Sequence, residues 1–144
     1  MTASTTPTAT ATEAHRTGRK AGIALWTLQA LMAAAFVIAG ASKVALTDQA
    51  VQGFHKIGLG EPGLIVIGTL ELLGAVALMI PILSGLSGAA LSTLLVGATI
   101  TEFVADTPAM ALVPLAYLVP VAIIAYGRRG QTVRLMAAVR GFRR

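Results

Sequence analysis

The chain has 144 residues, 56% of them hydrophobic and 12% charged, with a net charge of +5 and a mean hydropathy of +0.79. Soluble domains carry about 25% charged residues, so too little polar surface is present to coat a water-soluble globule, and the composition specifies a membrane protein. The absence of cysteine excludes disulfides, thiolate zinc sites and cysteine-held iron–sulfur clusters, and the basic residues gather at the two ends beside apolar segments, which suits an anionic membrane surface and not a nucleic acid.

Residues 1–14, MTASTTPTATATEA, are low in complexity and have little to bury, so a disordered tail is expected there. Arg16, Arg19 and Lys20 follow and place a membrane edge near residue 20. A spanning helix needs about 20 mostly apolar residues. The first candidate is 22–42, GIALWTLQALMAAAFVIAGAS. A signal peptide cleaved after AGA (39–41) is the rival reading, but signal cores run to about 15 residues and this segment is longer. Along it Gln29, Ala33, Phe36, Gly40 and Lys43 recur at helical spacing and share one face.

Residues 43–62 read as a loop that holds His55. The second span is 63–83, GLIVIGTLELLGAVALMIPIL, with Glu71 near its middle and Gly68 and Gly74 three residues to either side. The third, 85–104, is rich in Gly, Ser and Thr; Gly85, Gly88, Ser92, Thr99 and Glu102 form a small, polar face. The fourth, 109–127, has Pro114, Tyr117 and Pro120 near its middle. Residues 128–144 hold six arginines among apolar residues and read either as a topology-setting basic tail or as an interfacial amphipathic helix. Trp26 and Tyr126 read as belt residues at that same membrane edge.

The expected fold is therefore all-α: a polytopic membrane protein with a four-transmembrane-helix bundle over 21–127, between a tail at 1–20 and a basic tail at 128–144. Three Lys or Arg precede the first span and six follow the fourth, against two in the 43–62 loop, so both termini are expected in the cytoplasm and the protein in the cell membrane.

Small residues let helices approach closely in lipid, so the glycines beside Glu71 aim it at a helix contact. An outward charge would be unfavourable by about 3 kcal/mol. Counting residues from the 43–62 end puts Lys43, Glu71, Thr99, Glu102 and Tyr117 in the same half of the membrane, where they would line a ligand or proton-relay pocket. Lys43 is the natural ion-pair partner of Glu71, since its long stem reaches down into apolar surroundings. Two readings of Glu71 stay open at this point. A paired carboxylate organises a site or simply links two helices; a protonated one donates a hydrogen bond or relays a proton, and is the candidate catalytic residue if the protein is an enzyme. Glu102 reads equally as an interfacial cap, and Tyr117 as a core aromatic.

Three stretches resemble the DoxX-like family of small four-helix bacterial membrane proteins: AGASK at 39–43, the pattern FxxxGLGEP beginning at Phe54, and GTLELLGA at 68–75. The likeness extends over roughly 22–127. That family takes its name from a membrane subunit of a thiosulfate:quinone oxidoreductase. The resemblance implies an accessory membrane subunit of an oxidoreductase system, a redox partner protein, and a quinone or other lipophilic small molecule as ligand. Lys43 and Glu71 are the positions it carries over. No intrinsic cofactor and no metal site is expected; the other partners considered are the lipid bilayer and a second copy of the chain. A small membrane enzyme using Glu71 as general acid or base, and a purely structural assembly protein, are the alternatives.

Overall fold

The computed structural model describes residues 9–105 and 108–141. Among these there are six helices and no strand: α1 (Ala9–Val44), α2 (Asp48–Lys56), α3 (Gly60–Met79), α4 (Ser84–Val104), α5 (Leu112–Gly127) and α6 (Arg129–Gly141). Three helices are long and apolar enough to cross a membrane: Lys20–Val44 of α1, all of α3 and all of α4. A fourth is reached if α5 and α6, which meet at a 57° bend, count as one broken span. By itself α5 has 16 residues, about 24 Å of helix at 1.5 Å per residue, which is short of a hydrocarbon core.

The chain runs back and forth along one axis. α1 packs against α3, α3 against α4, α4 against α5, and α5 returns to α1, with the tightest pairings α1–α3 and α4–α5. The core between them is Ala33, Phe36, Ala75, Leu78, Leu91, Leu95, Val121 and Ile124. Large apolar side chains such as Ile38, Val66, Leu73 and Val119 point outward, as a lipid-facing surface requires.

The face expected on the first span is the one α1 buries: Gln29, Ala33, Phe36 and Gly40 are all buried, and Lys43 is half-buried at its end. The α1–α3 crossing is set by two glycines. A Cβ on Gly40 would stand 2.7 Å from the Gly68 carbonyl oxygen, and one on Gly68 would stand 2.8 Å from the Gly40 carbonyl oxygen. Backbone thus lies on backbone, a contact any larger residue would separate.

Several boundaries differ from the sequence reading; α3 starts at Gly60 and not at 63, and α5 at Leu112 and not at 109. α1 begins at Ala9, so residues 9–14 of the expected disordered tail are helical, while residues 1–8 lie outside the described part. α3 ends at Met79 and not at 83, because Ile80 is extended and Pro81 follows; a helical conformation is disfavoured before proline. The 43–62 segment is no plain loop but contains α2. Residues 129–141 form α6, a helix being one of the two expectations for the basic tail; residues 106–107 and 142–144 lie outside the described part.

Away from α2, at the opposite end of the helices, a polar knot ties four of them. Gln29, fully buried, donates from Nε2 to the Leu78 carbonyl at 2.8 Å and accepts from Arg128 Nε at 2.9 Å. The Gln131 amide is oriented with its oxygen toward Arg128 Nη1, 3.1 Å away, because a guanidinium can only donate. Its nitrogen then donates to the Pro81 carbonyl and, at 2.8 Å, to the buried Ser84 hydroxyl. Arg128 also lies 5.7 Å from the Trp26 ring, and Arg129 lies 4.0 Å from that of Tyr126. The two arginines therefore anchor the α5–α6 bend rather than merely following the last span.

Candidate functional site

Lys43 sits on the last turn of α1 and Glu71 just past the middle of α3, on the buried stripe of Leu64, Gly68, Ala75 and Leu78. Their approach follows from the crossing: a Cβ on Gly68 would stand 2.8 Å from Lys43 Cβ, so the missing side chain is what lets the lysine stem lie across α3. Lys43 Nζ donates to Glu71 Oε2 at 2.7 Å and, at 3.4 Å, to the Ala39 carbonyl one turn back. The side chains are 19% and 9% exposed, so this is a desolvated pair and not a surface contact. An ammonium has three N–H groups and a carboxylate two oxygens; the pair engages Oε2 and leaves Oε1 and a third N–H able to meet another molecule.

What the pair faces is a cavity of about 560 Å³, within the usual range for small-molecule sites. It lies between the α1–α3 and α4–α5 pairs at the α2 end. Phe36, Ala39 and Lys43 come from α1, Ile67 and Glu71 from α3, Ala98, Thr101 and Glu102 from α4, and Val113, Pro114 and Tyr117 from α5 or its start. Phe36 is buried and meets the Tyr117 ring edge-on, centroids 5.9 Å apart. With Phe54, three of the chain's seven aromatic residues line this one space. The walls are apolar and the polar groups converge at few points, the composition of a site for a lipophilic molecule with a polar head.

Of the residues expected to line a pocket, the structure brings Lys43, Glu71, Glu102 and Tyr117 to the same cavity. Thr99 is placed elsewhere. Its hydroxyl bonds the Leu95 carbonyl of its own helix at 2.8 Å, and the neighbouring Thr101 lines the cavity in its stead. On α4 the lining residues are Leu94, Leu95, Gly97, Ala98, Thr101 and Glu102, a stripe rotated away from Thr99. No group of three His, Cys, Asp or Glu among the described residues stands as a metal site, and His55 is exposed on α2.

Sequence reasoning missed the contribution of Phe54, Ile57 and Leu59, which close the cavity at the α2 end. The signal was present. Val51, Phe54 and Ile57 recur every third residue behind Thr47–Asp48, a helix start followed by one apolar face.

Comparison with known proteins places the chain by a family profile. The DoxX-like family profile covers residues 27–124, which include α2, α3, α4, the second half of α1, most of α5, and both members of the ion pair. No curated protein and no solved structure matches the chain. With a match across more than half of its length, spanning the helices that build the Lys43–Glu71 cavity, this multi-pass membrane protein belongs to the DoxX-like family.

Proposed function

We propose that the cavity binds a lipophilic small molecule with a polar head, and that the protein serves as an accessory membrane subunit of an oxidoreductase system. One observation supports the binding reading above the rest: a desolvated ion pair, 2.7 Å between Nζ and Oε2, stands in the wall of an apolar cavity of about 560 Å³. A pair that only joined two helices would need no such space beside it. A quinone is the ligand class that fits the residues. Its ring would lie among Phe36, Phe54 and Tyr117. One oxygen would accept from Lys43, and a hydroxyl of the reduced form would donate to Glu71 Oε1. Lys43 and Glu71 bind and orient the head, and Glu71 can hold a proton at that position.

In thermal unfolding of the purified protein, decylubiquinone, a short-tailed quinone, is expected to raise the midpoint. The gain corresponds to about 2.7 kcal/mol at a hundredfold excess over Kd. Glu71→Gln is expected to remove most of that shift. No shift with the wild-type protein at saturating quinone would count against the reading. The accessory role, as opposed to an enzyme working alone, rests on family membership. Turnover of a lipid-soluble substrate by the purified chain without a partner would favour the enzyme.

The same reading takes α1, α3, α4 and the 109–127 segment that holds α5 as four spans, with α6 on the cytoplasmic side and both termini cytoplasmic. It is supported by the arginines at the α5–α6 bend, on the side where basic residues are retained. The cavity then opens toward the outer face. Reporter fusions within 48–56 and after Gly141 should report opposite sides, the first external. A cytoplasmic signal from α2 would reverse the assignment.

A further inference from the structure

α2 forms part of the cavity wall and is attached to the spanning helices on one side only. It has no buried residue. It rests on α3 and lightly on α1, and makes no backbone contact with α4 or α5. Even so, Phe54 on α2 and Ile57 and Leu59 just after it line the cavity, and Met110, Val113 and Pro114 form the opposite lip. The helix is two-faced. Val51, Phe54 and Ile57 are half-buried, the last two lining the cavity, and Asp48, Gln49, Gln52, His55 and Lys56 are exposed. Such a helix lies naturally at a membrane–water boundary.

Both ends of α2 are joints of the same kind. α1 stops in a turn where Thr47 N–H donates to the Ser42 carbonyl at 3.2 Å and Leu46 N–H to that of Lys43 at 3.1 Å, with Leu46 at φ 52°. α2 stops likewise: Leu59 N–H donates to Phe54 and Gly58 N–H to His55, with Gly58 at φ 75°. This is the helix-ending turn that uses a left-handed residue. Gly60, at φ 57°, adds a third left-handed position before α3. A nine-residue rigid helix is thus bracketed by two compact turns, and neither end is held by a side chain buried in the core.

We infer that α2 is the gate of the cavity, turning on Leu46 at one end and Gly58–Gly60 at the other to admit a ring-bearing amphiphile from the bilayer. The inference rests on the ligand-binding reading. Both lips are apolar side chains, so a charged solute passing between them would shed hydration with nothing in exchange. A lipid-dissolved molecule with a neutral head loses little there and meets the Lys43–Glu71 pair beyond the lips. The route explains why a charged pair is paired with an oily mouth.

The chain has no cysteine, so Ala39→Cys, on the cavity wall, supplies a single thiol. In proteoliposomes, neutral N-phenylmaleimide is expected to label it at least tenfold faster than a sulfonated maleimide. Phe54→Ala, which trims the lip, and Leu46→Gly, which frees the pivot and leaves the lining intact, should each speed N-phenylmaleimide labelling severalfold. Equal rates for the two reagents, or rates that neither substitution moves, would overturn the gate. Decylubiquinone protection of the thiol is read separately. Gating responses without protection support the gate and count against quinone binding. Protection without gating responses overturns the gate and leaves binding standing.

Discussion

Gly68→Ala is expected to lower stability by about 1–3 kcal/mol, the usual effect of overpacking a tight contact. Gly68→Leu is expected to prevent α1 and α3 from pairing at all. The added Cβ would stand 2.8 Å from the Gly40 carbonyl oxygen, 2.8 Å from Lys43 Cβ and 3.1 Å from Val44 Cγ2. Two of the three neighbours cannot swing aside, because one is backbone and one is the first carbon of a side chain. Gly40→Ala should behave alike, its Cβ meeting the Gly68 carbonyl at 2.7 Å and Leu72 Cγ at 2.9 Å. The double variant should lose less than the sum, since the displacement forced by the first methyl makes room for the second. Gly22→Ala, with nothing within 4 Å of the new Cβ, serves as the control and should be neutral or slightly stabilising, as helix propensity favours alanine. Unfolding of each variant in mixed micelles measures this. A Gly68→Ala protein as stable as the Gly22→Ala control would mean that the helices do not meet as closely as described. Because the methyl also pushes Lys43 from Glu71, quinone protection should weaken along with stability.

What could be read in the sequence was what repeats locally. Hydropathy alone located the apolar parts of α1, α3 and α4, because a run of some twenty apolar residues has few other uses. The 3.6-residue period put Gln29, Ala33, Phe36, Gly40 and Lys43 on one face, and that face is the buried one. The glycines around Glu71 pointed it at a neighbouring helix, and Lys43 was close enough in depth to be its partner. These inferences need only one helix at a time and a count along it.

The rest depended on what the chain does between helices. α2 is half polar and followed by Gly58 and Gly60, so its composition is that of a loop; its helix is fixed by an apolar face whose Phe54 lines the cavity. Arg128 sits in a basic tail whose charge already has an explanation in topology. Its partner Gln29 is 99 residues away, and nothing local announces that pairing. Thr99 and Thr101 are equivalent in composition. Only the rotation of α4 against α5, where Gly88 packs on the backbone of Ala125, decides which of them faces the cavity.

The charge pair gives the sharpest separation between a link and a site. Lys43→Met alone leaves a desolvated carboxylate, and Glu71→Leu alone leaves a desolvated ammonium. Each is expected to cost about 3–5 kcal/mol, because most of the loss is the isolation of the remaining charge. Combining them removes both charges and leaves two apolar side chains of similar length. That double variant should unfold near the wild-type midpoint, as replacing a buried ion pair by apolar residues is commonly neutral or stabilising. The coupling measured by the cycle should then be several kcal/mol, far above the 0–1 kcal/mol of an exposed pair; a value in that lower range would mean that water reaches the pair freely. Stability and binding are expected to part company in the double variant. It keeps the fold but offers the cavity neither an N–H from residue 43 nor an acceptor from residue 71, so decylubiquinone should no longer protect the thiol of Ala39→Cys placed in the same background. It should also fail to complement a strain lacking the gene. Full complementation by a stable Lys43→Met/Glu71→Leu protein would reduce the pair to a connection between α1 and α3.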